Sequence, residues 1–516
     1  MTDSEKQMKL IIAGGGTAGW LTASYFSKNF PEKQIILIED PNTPPVGVGE
    51  SVTPHVKEFI LGLGIDEEEW MRETGAIHKL ANRFLDWKYD GHSEYFSFTY
   101  PYDESYIMTD RGYPNSLAGY TSETATNTLD AFVLLWNKGL LNKFDKFFNP
   151  QYHYMENLTY HENNLKQPFS VSHHIDADKT AGYLKDKVAI PNGVKHLHDK
   201  IQKVNYQNQR IDSLELGSGD IVRGDYYFDC TGFARVLTKN LNLSSLKYIY
   251  PIDSCRVART DYKDKAIECT NYTQTKAKSE GWQFGVTLNK RQGNGYCFSS
   301  SLSDDKKVEN EFIEETGKEG RLLSWTPERL REPCFGNIIS IGLASGFIEP
   351  LEANSLYITI RSIRLAEDFV NNFILYGKEQ HESFNKKICS SLDDIKDFLI
   401  VHYSCANRHD SEFWAQMSEL GRTEHHKDLV LSKINDSFNS MNSAFKNNTL
   451  FPNYMWMQFA LSWGISVPTP KKPFKYKVEN YFNFFQRSNE KHKLASLHSS
   501  KYHDYLESVC EKGKYQ

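Results

Sequence analysis

Short apolar runs that end at glycine-rich turns are the most regular feature of this chain. Residues 10–13 form an apolar run typical of a buried parallel strand, and residues 34–40 (QIILIED) form a second that ends in acids. Between them, residues 17–30 have helical character. This order predicts a β–α–β unit of a Rossmann-like α/β fold.

The turn between the first strand and the helix has the sequence G-x-G-x-x-G. Glycine there lets the backbone approach a pyrophosphate, whose charge meets the helix N-terminus. A carboxylate at the end of the second strand can accept hydrogen bonds from ribose hydroxyls. The alternative is a tight turn without a ligand, and the motif alone does not separate FAD from NAD. The predicted cofactor-binding residues of this unit are Gly14, Gly16, Thr17, Ala18, Gly19 and Glu39.

Two later stretches repeat the pattern of a strand followed by a glycine turn. They are residues 225–237 and 337–360, so the dinucleotide fold is predicted to be assembled from three separated parts of the chain. The segments between them, about 80–165 and 250–325, are rich in aromatic and β-forming residues and predict sheet insertions. Apolar residues at helical spacing follow from about 360, and the last fifty or so residues are polar and Lys-rich and are expected to lie on the surface.

Three short stretches contain residues that could take part in catalysis or in cofactor binding. Each of them also has an ordinary structural interpretation. Gly47, Gly49 and Glu50 lie in a glycine-rich stretch that could approach a cofactor or form a surface loop. Lys79 stands between apolar neighbours, where an amine can donate a hydrogen bond, act as a nucleophile or anchor a charge. In EPLE, one of the two carboxylates, Glu349 or Glu352, could serve the following helix, and the other could be a base.

Composition narrows the class of protein. The 516 residues include 31 Phe, 29 Tyr and 9 Trp, which disordered chains lack, and the net charge of −6 predicts no nucleic-acid partner. No apolar run approaches the length of a membrane span, and the N-terminus lacks a signal-peptide pattern. The eight cysteines form no C-x-x-C pair, so we predict no metal site and a reducing, cytoplasmic location.

Taken together, these motifs resemble the flavin-dependent halogenases of the tryptophan halogenase family. The resemblance covers residues 8–470 and rests on motifs in family order. GGGTAGW is similar to the family's FAD fingerprint, GVGESVTP to its flavin-linked strap and GAIHKLANRF to the segment of its catalytic lysine. DCTGF, GNGYCFSS, GFIEPLE and HYSCANRHDSEFW follow. The sequence is identified as a divergent member of the family, such as a phage-borne one.

The resemblance implies a fold and its division into modules. The fold is an FAD-binding Rossmann-like core of the GR2 type with interleaved β-sheet insertions and a helical C-terminal part. Residues 1–80, 165–250 and 325–375 would form the FAD-binding module. Residues 81–164, 251–324 and 376–516 would form the substrate-binding module.

The resemblance also implies a mechanism. Reduced FAD would react with O₂ to give a flavin C4a-hydroperoxide, and halide would convert it to hypohalous acid. The oxidant would then reach Lys79, which holds it or forms a haloamine, and Glu352 would help to remove the proton of an electron-rich arene. With one dinucleotide fingerprint in the chain, a separate NAD(P)H flavin reductase would supply FADH₂. Gly49, Glu50 and Gly346 would also contact the cofactor.

Departures from the family pattern affect the halide and substrate predictions. The usual W-x-W-x-I-P element is here Trp282 followed by QFGVT, and the usual Ser-Thr-Gly after PLE is replaced by Ala353, Asn354 and Ser355. Asn354 and Ser355 are therefore the predicted halide residues, with a preference for bromide or iodide over chloride. Free tryptophan is not the expected substrate, and the candidate aromatic residues of the pocket are Phe96, Phe98, Trp456 and Trp463.

Two other functions remain open at this level. One is a flavin-dependent aromatic monooxygenase that hydroxylates its substrate, and the other is a flavin-binding redox sensor without turnover. Neither needs a lysine that holds hypohalous acid, so Lys79 and Glu352 discriminate among the three. A homo-oligomer is compatible with the sequence.

Overall fold

A computed structural model gives the architecture of the chain. The described residues are 7–43, 47–97, 107–108, 114–115, 131–141, 156–159, 171–241, 243–371, 378–406, 408–422, 428–433, 450–451, 453–462, 464–468, 479, 482–483, 486, 490 and 493–511. Within these residues, no helix combines the length and the apolar character that crossing a membrane requires.

The strands alternate with helices at the N-terminus and dominate the middle of the chain. They are β1 Lys9–Ala13, β2 Gln34–Glu39, β3 Glu50–Ser51, β4 Ile77–Lys79, β5 Ala81–Leu85, β6 Ser93–Ser97, β7 Ile107–Met108, β8 Pro114–Asn115, β9 Ser172–Ile175, β10 Lys195–His198, β11 Ile201–Gln207, β12 Arg210–Leu216, β13 Ile221–Val222, β14 Tyr226–Asp229, β15 Ser245–Lys247, β16 Ser254–Thr260, β17 Tyr272–Lys278, β18 Gly281–Thr287, β19 Gln292–Phe298, β20 Arg321–Ser324, β21 Glu328–Leu330, β22 Cys334–Phe335, β23 Ile338–Ser340 and β24 Gly346–Phe347.

The helices lie mainly at the two ends of the chain. They are α1 Thr17–Asn29, α2 Pro54–Leu61, α3 Glu67–Thr74, α4 Ala177–Leu184, α5 Lys265–Glu268, α6 Asp305–Thr316, α7 Ser355–Leu365, α8 Glu367–Asn371, α9 Lys378–Ala406, α10 Glu412–Arg422, α11 Asn453–Ser462 and α12 Tyr502–Glu511, with a π-helical turn at Lys185–Ala189 and 3-10 turns at Gly232–Ala234 and Gly342–Ala344.

A six-stranded sheet forms the Rossmann-like core. Its order is β10-β2-β1-β14-β23-β22, and its strands are parallel except at the β22 edge. The middle strand β1 is almost wholly buried because its four apolar residues face packed layers on both sides. The predicted β–α–β unit and the two later strand–turn stretches therefore meet in one sheet, as the sequence indicated.

Two further sheets carry the rest of the site. A seven-stranded sheet has the order β20-β16-β19-β18-β17-β5-β6, and its neighbouring strands are antiparallel except for the parallel pair β17–β5. The described parts of the inserted segments therefore contain sheet, as predicted. A small antiparallel sheet has the order β3-β9-β4. Its strand β3 follows the fingerprint unit in the chain, and its strand β4 is followed directly by β5 of the larger sheet. Core residues from β1, β5 and α9 belong to one hydrophobic cluster. The proposed boundaries of the two modules stay a prediction.

One helix of the C-terminal segment has a buried apolar face, which the expectation of a surface location did not include. Helix α12 buries Tyr502, Leu506 and Val509, which recur at the spacing of one helical face. The hydroxyl of Tyr502 accepts a hydrogen bond from the backbone N–H of His78 at 2.5 Å. The average composition of the segment is polar, so it did not reveal this apolar stripe. The helix packs against strand β4 of the small sheet.

Gly19 allows α1 to pack directly on the preceding turn. A Cβ at this position would lie 1.9 Å from the carbonyl oxygen of Gly14, so backbone would have to move. Gly182 in α4 offers a matched contrast, because a Cβ there meets nothing within 4 Å.

We expect Gly19→Ala and Gly182→Ala to change stability in opposite directions. Overpacking at Gly19 should lower the free energy of unfolding by about 2 kcal/mol or more. Alanine at the helical position 182 should raise it by about 0.5–1 kcal/mol. Denaturant unfolding of the cofactor-free variants measures both. Equal stability of the two variants would contradict the close packing of α1.

Candidate active site

Lys79 ends strand β4 with its amine inside the protein. The residue is 1% exposed, and its Nζ donates a hydrogen bond to Ser51 Oγ at 2.5 Å. Burial lowers the pKa of Lys79 to about 7, although the charge of Glu352 acts in the opposite direction. Near neutral pH the amine therefore exists in both its charged and its neutral form, so it can be a hydrogen-bond donor or a nucleophile.

A chain of hydrogen bonds leads away from Lys79 across the small sheet. The Oγ of Ser51 lies 3.0 Å from Oγ1 of Thr273. The same Oγ1 lies 2.8 Å from Nε2 of His174. The other ring nitrogen of His174 lies 3.0 Å from the carbonyl oxygen of Thr287. Burial and the nearby charge of Lys79 hold the pKa of His174 well below its usual value. His174 is therefore a neutral ring that fixes these hydroxyls.

Glu352 lies just before helix α7 and contacts two other elements. Its Oε2 accepts a hydrogen bond from Asn82 Nδ2 at 3.3 Å, and Asn82 comes three residues after Lys79. Its Oε1 lies 2.8 Å from Nε2 of His402 in the middle of the long helix α9. Strand β5 and helix α9 therefore orient this carboxylate from two sides.

His402 and Glu352 form a hydrogen-bonded pair. The Nδ1 of His402 lies 2.8 Å from the carbonyl oxygen of Phe398, and a carbonyl can only accept, so Nδ1 carries a hydrogen. The contact between Nε2 and the carboxylate then needs a second hydrogen, which resides on the ring or on Glu352. This hydrogen can move between the two atoms along the 2.8 Å contact without movement of either side chain.

The first carboxylate of EPLE has a structural role. Glu349 accepts hydrogen bonds from the hydroxyls of Tyr250 and Tyr403 and from the indole of Trp282. Burial raises its pKa to about 7, and these three donors oppose the shift. Trp282, the remaining Trp of the altered W-x-W-x-I-P element, therefore anchors the loop that carries Glu352.

The glycine-rich stretch is held as a strap by two arginines. Arg259 donates to the carbonyl oxygen of Gly47, and Arg291 donates to that of Val48 at 2.6 Å. Gly47 has a φ of +60°, and a Cβ there would clash with the Arg259 guanidinium. Burial, with help from Asp178, raises the pKa of the adjacent Glu50 to about 7. The stretch is thus a fixed strap and not a loose surface loop.

The fingerprint turn has the geometry that a pyrophosphate needs. Gly14 has a φ of +105°, and a Cβ there would lie 2.6 Å from the carbonyl oxygen of Cys230. Gly16 begins helix α1 without a side-chain cap, and a Cβ there would meet nothing within 4 Å. Glu39, at the end of β2, lies 2.8 Å from His196 Nε2. An open, uncapped helix N-terminus and a nearby carboxylate fit the dinucleotide end of FAD.

The predicted halide residues open helix α7. Asn354 is its N-cap, and Ser355 is its first residue. The Nδ2 of Asn354 is buried and has no hydrogen-bond partner among the described residues. Gly346 lies in β24, where a Cβ would be 2.7 Å from Cβ of Arg329. A buried amide donor at a helix N-terminus fits an anion such as a halide.

The predicted substrate aromatics are only partly placed. Phe96 lies opposite Asn82 in the β5–β6 pair and stacks on Phe459 at 5.6 Å, and Phe459 in turn contacts His402. Trp456 is buried and contacts Phe398, whose ring in turn contacts His402. Phe98 and Trp463 lie outside the described residues.

Several functional contacts were not predicted from the sequence. Ser51, Asn82 and His402 contact Lys79 or Glu352 and lie within family-like motifs, but each is distant along the chain from the residue that it contacts. The one signal in the sequence was a histidine within the apolar run FLIVHY of α9. Buried polar residues in apolar helices need a partner, and here the partner is Glu352.

Comparisons with known proteins agree on one family. The family model described as tryptophan halogenase matches residues 9–480. Tryptophan 6-halogenase SttH of Streptomyces toxytricini is 30% identical over 432 residues, which are 79% of this chain and 80% of that protein.

Solved structures show the same fold. A tryptophan halogenase from Shewanella frigidimarina aligns with a TM-score of 0.84 at 22% identity, over 99% of this chain and 98% of that one. Xcc4156, a flavin-dependent halogenase from Xanthomonas campestris, aligns with a TM-score of 0.80 at 24% identity, over 98% of both chains. Together with the match of the family model, they show that the chain belongs to the tryptophan halogenase family of flavin-dependent halogenases.

Proposed function

We propose that this halogenase uses reduced FAD, O₂ and a halide to halogenate an electron-rich aromatic small molecule. The observation that carries the proposal is the buried amine of Lys79, with a pKa near 7, beside the carboxylate of Glu352. A hydroxylase or a redox sensor gains nothing from such a pair. Burying an amine costs free energy of folding, and binding of an electrophile such as hypohalous acid by that amine would explain why the fold buries it.

The fingerprint turn and the strap would hold the cofactor. When bound, reduced FAD supplies the two electrons with which O₂ and a halide yield hypohalous acid and water. Gly16 and the N-terminus of α1 would receive the pyrophosphate, and Glu39 the ribose hydroxyls. The arginines that fix Gly47 and Val48 would keep the strap closed against water.

Asn354 would hold the halide until it is oxidised. Its unpartnered Nδ2 and the positive end of α7 both favour an anion. The neighbouring Ala353 has a φ of +54°, which turns the chain so that Asn354 can begin the helix. Since bromide and iodide are more easily oxidised than chloride, this altered site supports a preference for the heavier halides.

Lys79 would transfer the electrophilic halogen. Its charged form can donate a hydrogen bond to hypohalous acid, and its neutral form can react with it to give a haloamine and water. Ser51 holds the amine in place in either case. The arene then attacks the halogen, and the ring carbon that bonds to it must lose a proton.

Glu352 would take that proton and share it with His402. The short contact between them lets the carboxylate accept a proton with little rearrangement. Phe96 and Phe459 lie beside this pair and can stack on a flat substrate. The absence of a second dinucleotide motif in the sequence supports a separate NAD(P)H flavin reductase as the source of FADH₂.

Removal of the amine should abolish halogenation. With FAD, a reductase, NADH, O₂, bromide and an activated arene, Lys79→Ala should lower the product rate by about 1000-fold or more, because nothing remains to hold the oxidant. Mass spectrometry measures the product. Flavin binding and NADH-linked peroxide formation should persist. Lys276→Ala, on the other face of the large sheet, should leave the rate unchanged. Retained halogenation by Lys79→Ala, or a hydroxylated product, would contradict the proposal.

The rate should depend on pH through the Lys79 amine. Its pKa of about 7 means that the neutral form, which can become a haloamine, grows as pH rises from 6 to 8. Arene halogenation per peroxide-forming turnover should therefore rise across this range and level off above it. A fall with rising pH would instead assign Lys79 a role as a hydrogen-bond donor.

The halide site should favour bromide and iodide. The wild-type enzyme should turn over both faster than chloride at equal concentrations. Asn354→Ala should raise the KM for bromide by about tenfold, the value of one hydrogen bond to a charged group. Asn192→Ala, which removes an amide in the turn that follows the π-helical segment, is the control and should not change this KM. A clear preference for chloride in the wild type would exclude the proposed halide selectivity.

A further inference from the structure

Two histidines and a glutamate converge behind the strand that carries Lys79. The Oε1 of Glu67 lies 3.0 Å from Nε2 of His173 and 3.4 Å from Nε2 of His78. One ligand atom from each of the three residues lies within 4.8 Å of the other two. His78 and His173 are buried, and Glu67 is partly exposed. We call these residues the Glu67 cluster.

The short distances in the Glu67 cluster do not come with hydrogen-bond geometry. Neither Glu67 Oε1 nor His173 Nε2 has an aligned hydrogen-bond partner within the described part of the chain. Ligands of a tetrahedral zinc ion, each about 2.0–2.2 Å from the metal, are separated by about 3.3 Å. The observed separations of 3.0 and 3.4 Å match that spacing. The three ligand atoms are therefore close enough together to bind one metal ion.

The protein holds the three ligands from different elements. His78 and His173 are paired residues of β4 and β9, so the pleat puts both rings on one face, and Glu67 begins helix α3. Trp70 packs on the ring of His173, and Tyr505 of α12 stacks on that of His78 at 5.7 Å. Packing by apolar rings therefore fixes the two imidazoles.

The cluster has one partly exposed side. The side chain of Glu67 is 28% exposed, whereas that of His78 is 8% exposed and that of His173 is fully buried. Water can therefore reach the cluster beside Glu67.

Lys57 supplies the positive charge near the cluster in this structure. Its Nζ lies 3.0 Å from the same Oε1 of Glu67. A lysine can swing into solvent, because its side chain is long and already 15% exposed. It therefore competes with a metal ion for Glu67 and should weaken binding without preventing it.

We propose that Glu67, His78 and His173 form a site for a divalent transition metal of the zinc class, with water as a further ligand. Two imidazoles and one carboxylate are ligands that such metals take. The sequence predicted no metal site because that prediction rested on cysteine pairs, whereas these ligands come from three separated stretches. The ion would tie α3 to the β4–β9 pair and so stiffen the strand that ends in Lys79.

Zinc titration of the full chain tests the site directly. The protein is freed of any affinity tag, treated with a chelator and titrated with Zn²⁺ against a chromophoric chelator. We expect one zinc per chain at micromolar affinity or better. Glu67→Gln and His173→Gln should each weaken binding by at least about 100-fold. Lys57→Met, which keeps the aliphatic stem but removes the charge, should strengthen binding by about tenfold.

A matched control separates this cluster from the other one in the described residues. Glu39, His196 and His198 also lie close together, and His198 is exposed. His198→Gln should leave zinc binding unchanged. Thermal unfolding of the wild type should shift upward with zinc concentration, and that of Glu67→Gln should not.

Three results would overturn the proposal. They are the absence of one-to-one zinc binding by the wild type, equal binding by Glu67→Gln and the wild type, and loss of binding in His198→Gln alone. If Glu67→Gln and His173→Gln fail to fold, the zinc affinity of Lys57→Met still tests the proposal. Unchanged or weaker zinc binding by that variant would contradict the competition between Lys57 and the metal ion for Glu67. The readouts are binding and stability, so they stand apart from the halogenation assay.

Discussion

The buried amine of Lys79 is the feature on which the rest of the site depends. An amine at 1% exposure is stable only with partners that are themselves fixed. Ser51 supplies the hydrogen bond, and Glu352 supplies the opposite charge. These residues come from the strap and from the loop before α7, so the flavin-linked strap and the PLE loop must both be in place before Lys79 reaches its working state.

The parts of the fold that local pattern determines were predictable. The strand, glycine turn and helix of the fingerprint follow from apolar runs and from glycine positions, and the structure confirms β1, α1 and β2 within a residue or two. The role of Lys79 was different, because nothing around a lysine between Ile77 and Leu80 marks it as functional. Only the resemblance of the whole motif set to a family pointed to it.

Contacts between distant segments account for what the sequence did not reveal. The partner of Glu352 in α9 is His402, 50 residues away, and its other partner is Asn82, 270 residues away. Neither periodicity nor spacing encodes such a meeting, which arises because folding brings His402 of α9 against Phe84 of strand β5. The expectation that the C-terminus lies on the surface missed the buried face of α12 for a related reason, because composition averaged over fifty residues hides an apolar face only three side chains long.

The small sheet carries the Lys79 site on one face and the Glu67 cluster on the other, because side chains alternate along its strands. Side chains of consecutive residues point to opposite faces, so Lys79 faces the hydroxyls of Ser51 and Thr273, whereas His78 faces His173 and Glu67. A slip of β4 by one residue would place an amine in the histidine cluster and an imidazole beside Ser51. Both faces are buried, so such a slip would leave polar groups on each side without partners. The two clusters therefore enforce the same register, and the arrangement behind the strand stabilises the position of the amine in front of it.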